Sequence, residues 1–325
     1  MTTLGDLGEF GFIDRLAKAL PSNPNVIEGI GDDCAVIDLD GTPWLVTTDI
    51  AVEDVHFRWG AADSASIGWK VAASNLSDIA AMGGVPRFAL VSVAAPPETD
   101  VAELEAVYQG ISELLQQHGA CIVGGDTARA VEGCVIDLTL IGALHEGRYL
   151  SRSGARPGDC LMMTGFPGRA AGGLHAQENG IDAPTLLAAH QRPVPRVNEG
   201  QWLCKQAAIH AMIDISDGVA QDAGHVADAS GLGVDIHTKS LPVDSDLARY
   251  ATAQGLDVQV LMLGGGEEYE LAVAVEPGAA EELAATFQKT FALPLTAIGA
   301  FSDAFQGVRV DGTPSDASGF DHFRS

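Results

Sequence analysis

The sequence predicts an α+β protein of two domains, and three observations support this prediction. The chain has 325 residues, which exceeds the length at which a single hydrophobic core keeps growing. Strand-like and helical segments mix irregularly in both halves, whereas a doubly wound sheet requires regular βα alternation. A segment rich in Arg, Gly and Ser, residues 147–159, separates the halves. We therefore place one domain at residues 1–148 and a second at residues 149–325.

The first half begins with a helix at residues 9–20, which ends before Pro21 and Pro24. Residues 68–82 have the apolar spacing of an amphipathic helix, and Gly83 and Gly84 end it. The other elements predicted here are strands at 34–39, 44–48, 87–95, 121–123 and 134–144 and a helix at 98–118. The apolar strands and few aromatic residues of this half predict that its core is completed in a homodimer with two-fold symmetry.

The second half starts with a strand at 160–163, a Gly-rich turn and a helical stretch that contains several Pro and His residues. Short apolar runs and helical spacing alternate after that stretch. The remaining elements predicted are strands at 211–215, 234–238, 270–275 and 295–301 and helices at 217–230 and 279–290.

Charge and cysteine content restrict the class of protein. The net charge is −26, from 44 acidic and 18 basic residues, which disfavours nucleic acid and anionic membranes as partners. The five cysteines are odd in number and lack CxxC spacing, so we expect reduced thiols. Because no secretory leader and no run of about 18 apolar residues is visible, we expect a soluble cytoplasmic protein.

Five aspartate clusters follow apolar runs at the ends of predicted elements. They are Gly31-Asp32-Asp33, Thr47-Thr48-Asp49, Asn75-Leu76-Ser77-Asp78, Gly124-Gly125-Asp126 and Asp214-Ile215-Ser216-Asp217-Gly218. Each cluster alone is typical of a turn or a helix cap. If several converge, however, their carboxylates repel one another unless cations lie between them. The clusters therefore predict Mg²⁺, and with Mg²⁺ the phosphates of a nucleoside triphosphate.

Two further observations refine this prediction. Asp78 lies near the predicted C-terminus of its helix, where the helix dipole disfavours an anion, so it is a functional candidate. The chain has neither a GxxxxGK[ST] phosphate loop nor a strand-linked GxGxxG motif, which leaves P-loop and dinucleotide-binding folds unsupported.

Nine motifs resemble the thiamine-monophosphate kinase family, in the aminoimidazole-ribonucleotide-synthetase-like superfamily. They are GEFGFI (8–13), GIGDDCAV (29–36), TTDIAVEDVHF (47–57), NLSDIAAMGG (75–84), GGDTAR (124–129), SRSGARPGD (151–159), DISDG (214–218), GGGEEYEL (264–271) and GFDHF (319–323). The resemblance implies transfer of the ATP γ-phosphoryl group to thiamine monophosphate, with several Mg²⁺ ions. It also implies an N-terminal α/β domain whose sheet closes a barrel with a second subunit, followed by a C-terminal α/β domain that completes the site.

The resemblance further implies roles for individual residues. The metal ligands implied are Asp33, Thr47, Thr48, Asp49, Asp78, Asp126, Asp214 and Asp217, with Asp32 beside them. The ATP contacts implied are Gly125, Asp126, Arg152 and Ser216. The substrate contacts implied are His56, Glu267 and Phe320. No general base is assigned, because the acceptor phosphate is already ionised near neutral pH.

The chain departs from the family pattern at two positions. Glu267 is followed by Glu268, where the family usually has Asp, and Asp54 replaces a small residue in the loop before His56.

Two alternative functions remain open. Another ATP-using superfamily member, such as a ring-closing synthetase or a selenophosphate synthetase, is one. The latter would need a reactive Cys in an N-terminal loop, and no Cys precedes Cys34. A non-catalytic acidic metal-binding protein is the other, and it would not need Arg152 or Ser216.

Overall fold

The computed structural model describes residues 2–315 and 322–323. The strands are β1 (Val26–Glu28), β2 (Ala35–Leu39), β3 (Thr42–Val52), β4 (Val85–Ala95), β5 (Cys121–Arg129), β6 (Val135–Ala143), β7 (Cys160–Thr164), β8 (Ile209–Asp214), β9 (Gly233–Ile236), β10 (Leu271–Val275), β11 (Leu295–Ser302), β12 (Gly307–Val310) and β13 (Thr313–Pro314). The helices are α1 (Leu4–Ala19), α2 (Ser64–Ala81), α3 (Val101–Gln117), α4 (Arg169–Glu178), α5 (Pro184–Gln191), α6 (Val197–Cys204), α7 (Val219–Ala229), α8 (Ser245–Gln254), α9 (Val258–Gly264) and α10 (Ala280–Phe291).

The strands of the first half form one mixed sheet in the order β1-β2-β3-β6-β4-β5. Only β4 and β5 pair in parallel. Side chains alternate across the sheet, so Ile136, Leu138 and Leu140 of β6 enter the core that includes residues of α2 and α3. We call this the inner face. The opposite, outer face exposes Ile50, Phe88 and Leu90, and within the described residues the sheet of the single chain is open.

Close packing of α2 against α3 fixes the position of α2. A Cβ atom on Gly68 would lie 1.9 Å from the Val107 carbonyl oxygen, and one on Gly110 would lie 1.8 Å from the Ala65 carbonyl oxygen. The helices can approach this closely only because both positions lack a side chain. Asp63 caps the start of α2 by accepting a hydrogen bond from the Ser66 backbone N–H at 2.9 Å.

The strands of the second half form a second mixed sheet in the order β13-β12-β9-β11-β7-β10-β8. One of its faces contributes Met212, Leu271 and Val273 to the same core as the first sheet. The other face packs with α7 in a second core, through residues such as Ile213 and Ala272. Together these features make a two-domain α/β fold with mixed sheets. The division at residues 148 and 149 remains a prediction.

The predicted types of element are mostly confirmed, but two strands are longer than predicted. Strand β3 continues to Val52, so Asp49 lies within the strand and not at its end. Strand β5 continues to Arg129, so Gly124-Gly125-Asp126 is part of the strand and not a turn after it. Pairing along the whole of β4 extends β5 despite the low strand propensity of glycine. The sequence did not predict β1, α8, α9, β12 or β13.

In the part of the chain described above, each helix is either too short or too polar to cross a bilayer.

Candidate active site

Three carboxylates from distant parts of the chain meet beside the inner face. Asp33 precedes β2, Asp78 lies in the last turn of α2 and Asp214 ends β8. One oxygen of each lies within 4.8 Å of the others. Asp33 and Asp214 are buried and Asp78 is partly buried. We call these three residues the carboxylate cluster.

Burial and mutual repulsion disfavour the ionised forms of the carboxylate cluster. Burial, and then the Asp33 charge, raise the pKa of Asp214 to about 8. Burial, followed by the charges of Asp49 and Asp214, raises the pKa of Asp78 well above its ordinary value. Asp49 lies close enough to contribute to both shifts, which places it beside the cluster. A cluster of this kind binds either protons or a cation.

Neighbouring polar groups satisfy only some of the cluster's oxygens. The Ser77 hydroxyl donates to Asp214 Oδ2 at 2.6 Å, and the Thr47 hydroxyl donates to Asp78 Oδ2. Within the described residues, Asp33 Oδ2 is buried without a hydrogen-bond partner, and so is Oδ1 of Asn75, which lies three residues before Asp78 in α2. Buried oxygens without partners are costly, and a hard cation prefers oxygen ligands of this type. The cluster therefore fits Mg²⁺.

Arg152 connects the linker between the halves to the Gly31-Asp32-Asp33 loop. Its Nε donates to Asp33 Oδ1 at 3.1 Å, and its backbone N–H donates to Asp32 Oδ2 at 3.0 Å. Burial, and then the Asp33 charge, raise the pKa of Asp32 to about 7. The guanidinium thus brings a partly buried positive charge to the border of the carboxylate cluster.

The turn after β8 carries Ser216 and Asp217, and Asp222 of α7 holds it in place. Asp222 Oδ2 accepts hydrogen bonds from the backbone N–H groups of Ser216, Asp217 and Gly218 at 3.1, 3.1 and 3.0 Å. Asp217 lies within 4.8 Å of oxygen or nitrogen atoms of Asp222 and His225 and accepts from Gln221. It therefore borders the carboxylate cluster and is not one of its three members. No sequence pattern indicated Asp222, because the three donors are backbone groups.

His56 and Glu267 lie together at a second group of polar side chains. His56 Nδ1 accepts a hydrogen bond from the Val52 backbone N–H at 3.0 Å, and its ring lies 4.8 Å from that of His322. Burial, and then His322, lower the pKa of His56, and the nearby Glu267 charge opposes that change. The Glu267 backbone N–H donates to the Ser216 carbonyl oxygen at 2.7 Å, which joins this group to the turn after β8. Phe320 lies outside the described residues.

Glu268 points away from this group and towards the start of α4. Its Oε1 accepts a hydrogen bond from the Ala170 backbone N–H at 3.0 Å. The N-cap of α4, Gly168, has no side chain that could accept such a bond. Burial raises the pKa of Glu268 to about 8, against the backbone hydrogen bonds that lower it. The longer acid at this position therefore caps α4.

Thr48, Gly125 and Asp126 do not reach the carboxylate cluster within one chain. The register aligns Asp49 with Leu138, Leu138 with Val91, and Val91 with Gly125. Gly125 is thus three strands from Asp49, or about 14 Å at the usual strand spacing.

Side-chain alternation separates these residues further. Because neighbouring side chains in a strand point to opposite faces, Thr48 and Asp126 lie on the outer face. There the Thr48 hydroxyl donates to Asp137 Oδ2 at 3.2 Å, and Asp126 is exposed.

Comparison with known proteins agrees with this architecture. The N-terminal domain of AIR synthase related proteins matches residues 31–144, and the C-terminal domain matches residues 156–310. Thiamine-monophosphate kinase of Bacillus subtilis is 33% identical over 333 aligned residues, covering 98% of this chain and 100% of the relative. The same enzyme of Salmonella typhimurium is 36% identical, covering 97% and 98%.

A solved structure gives the same result. AaThiL complexed with AMPPCP and TMP is 31% identical, covers 99% of both chains and superposes with a TM-score of 0.88. Similarity in sequence and in fold thus extends over nearly the whole length, and it includes all the segments that form the carboxylate cluster. The chain belongs to the thiamine-monophosphate kinase family of the AIR synthase related proteins.

Proposed function

We propose that this protein phosphorylates thiamine monophosphate to thiamine diphosphate, with ATP as the phosphoryl donor and Mg²⁺ as the cofactor. The observation that carries the proposal is the carboxylate cluster, with its unpartnered Asp33 Oδ2 beside Arg152. The names of the relatives and the ligands in AaThiL support the same reaction. The test is incubation with ATP, Mg²⁺ and thiamine monophosphate, with the product identified by mass. A product mass without the added phosphoryl group would contradict the proposal.

The cluster residues would hold Mg²⁺ through Asp33, Asp78 and Asp214, with Asp49, Thr47 and Asp217 beside them. Bound Mg²⁺ supplies the positive charge that lets two anions, the donor and acceptor phosphates, approach each other. A chain of net charge −26 has few basic side chains for that purpose. Asp33 would offer its unpartnered Oδ2 to the cation, since its Oδ1 accepts from Arg152.

Arg152 and Ser216 would bind the donor. The Arg152 guanidinium would bind a phosphate oxygen through the N–H groups that Asp33 does not use, since its planar donor geometry suits phosphate. Ser216 borders the carboxylate cluster in a turn that Asp222 holds through three backbone hydrogen bonds. Such preorganisation is the protein's main contribution to phosphoryl transfer, because that reaction requires positioning and charge neutralisation more than a strong base.

His56 and Glu267 would bind the acceptor. His56 Nδ1 is occupied by the Val52 N–H, so Nε2 is the ring nitrogen that remains for a ligand. Phe320 belongs to the same proposal and would stack on the cationic heterocycle. The carboxylate of Glu267 favours that positive charge as well.

The functional unit would be a homodimer in which the outer faces of two first sheets meet and close a barrel. The outer face exposes Ile50 (53%), Phe88 (42%) and Leu90 (39%), and exposed apolar surface on a sheet is typical of an interface. Strand β5 also has an exposed edge in the single chain, which natural proteins usually cover or pair. Sedimentation of a fully active monomer at micromolar concentration would contradict this assembly.

The dimer also gives Thr48, Gly125 and Asp126 a role. These residues cannot reach the carboxylate cluster of their own chain, so we infer that they complete the site of the partner. Two inactive variants, Asp126→Asn and Asp78→Asn, test this by complementation. A mixed dimer would contain one site with both aspartates intact, and a 1:1 mixture would regain about a quarter of the wild-type activity. If Asp126 acted within its own chain, every site would carry a substitution and mixing would restore nothing.

A further inference from the structure

Two basic side chains converge on Glu267 from separate helices. Lys70 of α2 places its Nζ 2.6 Å from Glu267 Oε2. His190 of α5 places its Nδ1 3.4 Å from the same oxygen and 3.4 Å from the Lys70 Nζ. Lys70 and His190 are 13% and 7% exposed, whereas the Glu267 side chain is 30% exposed. The two bases therefore lie behind the carboxylate, which itself reaches solvent.

The backbone at Glu267 is also constrained. Its φ is 62°, in the left-handed region that residues other than glycine rarely adopt. The surrounding structure has to maintain such a conformation, and conformations of this kind concentrate at binding sites. Here the hydrogen bond from the Glu267 N–H to the Ser216 carbonyl oxygen and the ion pair with Lys70 together maintain it.

The two oxygens of the Glu267 carboxylate differ in their contacts with the protein. Within the described part of the chain, the recorded polar contacts of the Glu267 carboxylate all use Oε2. Burial alone would raise the pKa of Glu267, but Lys70 and His190 lower it to about 2. Glu267 is thus an anion at any physiological pH, with Oε1 left to accept hydrogen bonds.

We propose that Lys70 and His190 are positioning residues for acceptor recognition, and that they hold Glu267 so that its Oε1 binds a ligand with N–H donors or positive charge. The inference deepens the proposed function and rests on it, because Glu267 is there a contact of thiamine monophosphate. Lys70 is not itself a phosphate-binding residue, since the carboxylate 2.6 Å from its Nζ neutralises its charge. Its effect on the acceptor is therefore transmitted through Glu267.

A double-mutant cycle between Lys70→Met and Glu267→Gln tests this inference. Lys70→Met should raise the KM for thiamine monophosphate about tenfold, with kcat changed less than about threefold and the KM for ATP unchanged. In the Glu267→Gln background, the same substitution should change the KM for thiamine monophosphate less than about twofold. Lys70→Arg, which keeps the charge, should restore most of the affinity. Lys289→Met, at an exposed lysine of α10, is the matched control.

The outcomes separate this inference from the function on which it rests. Failure of the wild type and of Lys289→Met to phosphorylate thiamine monophosphate would overturn the proposed function. If both are active and Lys70→Met has an unchanged KM for the acceptor, only the inference is overturned. Fully additive effects in the cycle would overturn it as well, because Lys70 would then act independently of Glu267. His190→Gln is a second test of the inference, and it should raise the KM for thiamine monophosphate about threefold. A thermal unfolding curve of this variant shows whether it is folded.

Discussion

Asp78→Asn is the substitution that separates the catalytic role of the carboxylate cluster from its effect on stability. Asp78 lies within 4.8 Å of Asp33 and Asp214, measured between their closest carboxylate oxygens. At that distance and an effective dielectric constant of about 20, each ionised pair repels by about 3.5 kcal/mol. Asparagine keeps the shape of the side chain and its ability to accept from Thr47, but removes the charge.

The substitution should therefore have opposite effects on stability and on activity. Without Mg²⁺ at pH 8, the variant should be more stable than the wild type by about 1–3 kcal/mol. The wild type must either bury the repelling Asp78 charge or keep Asp78 protonated far above its ordinary pKa, and asparagine avoids both costs. Its turnover should fall by about 10²–10⁴, the expected cost of losing a ligand to a metal that neutralises the transition state. Adding Mg²⁺ should stabilise the wild type and leave the variant nearly unchanged.

The assays are thermal unfolding in chelator and in Mg²⁺, and steady-state turnover at limiting and saturating Mg²⁺. The matched control is Asp303→Asn, at an exposed aspartate directly after β11. It should behave like the wild type in both assays. Near wild-type turnover by Asp78→Asn at limiting Mg²⁺ would refute the assignment of Asp78. A metal-free variant less stable than the wild type would refute the electrostatic argument.

Three further predictions concern the acceptor and the second half of the chain. The protein should phosphorylate thiamine monophosphate and not thiamine, because the proposed metal site would favour a polyanion. Comparable rates with both acceptors would contradict that argument. Glu268→Gln should reduce the loss of stability between about pH 5 and pH 8. The pKa of Glu268 is about 8 in the folded state against a usual 4.5, so over this range the unfolded chain releases the Glu268 proton while the folded protein keeps it. The wild type therefore loses on the order of a few kcal/mol of stability, and chemical denaturation across that range measures it. Arg196→Met should lower the free energy of unfolding by about 3–5 kcal/mol. The buried Glu270 carboxylate, whose Oε2 lies 2.7 Å from Arg196 Nε, would lose its ion-pair partner and keep the hydrogen bond from Thr164. The exposed Arg249→Met is its control, with an expected change under about 0.5 kcal/mol.

The sequence predicted the carboxylate cluster better than it predicted the geometry around it. Asp33, Asp78 and Asp214 follow apolar runs, and their convergence follows from the fold that the motifs indicated. The position of Thr48 and Asp126 on the outer face depends on strand register and on side-chain parity. Register is set by pairing between strands distant in sequence. The predicted strands β3 and β5 also ended too early, so side-chain alternation could not be used to assign Asp126 to a face of the sheet.

The sequence indicated even less about the positioning residues Lys70 and His190. Lys70 pairs with Glu267 across 197 positions of sequence, and His190 comes from a helix whose Pro and His content gave only an approximate location. A lysine on an amphipathic helix is usually a solvated charge. Only the approach of α5 and the loop around Glu267 makes Lys70 a partly buried ion-pair residue.

In the proposed function, helix α2 carries one residue for each end of the acceptor, and its rigidity sets the distance between them. Lys70 anchors the group at Glu267, and Asp78 belongs to the carboxylate cluster. Eight residues of α-helix separate them, which is a rise of about 12 Å. Gly68 and Gly110 lock this helix against α3, so the separation cannot adjust to the ligand. We therefore expect the chain to select acceptors by length as well as by charge. A molecule with a shorter or longer spacer between its heterocycle and its phosphate would fit one end of α2 and miss the other.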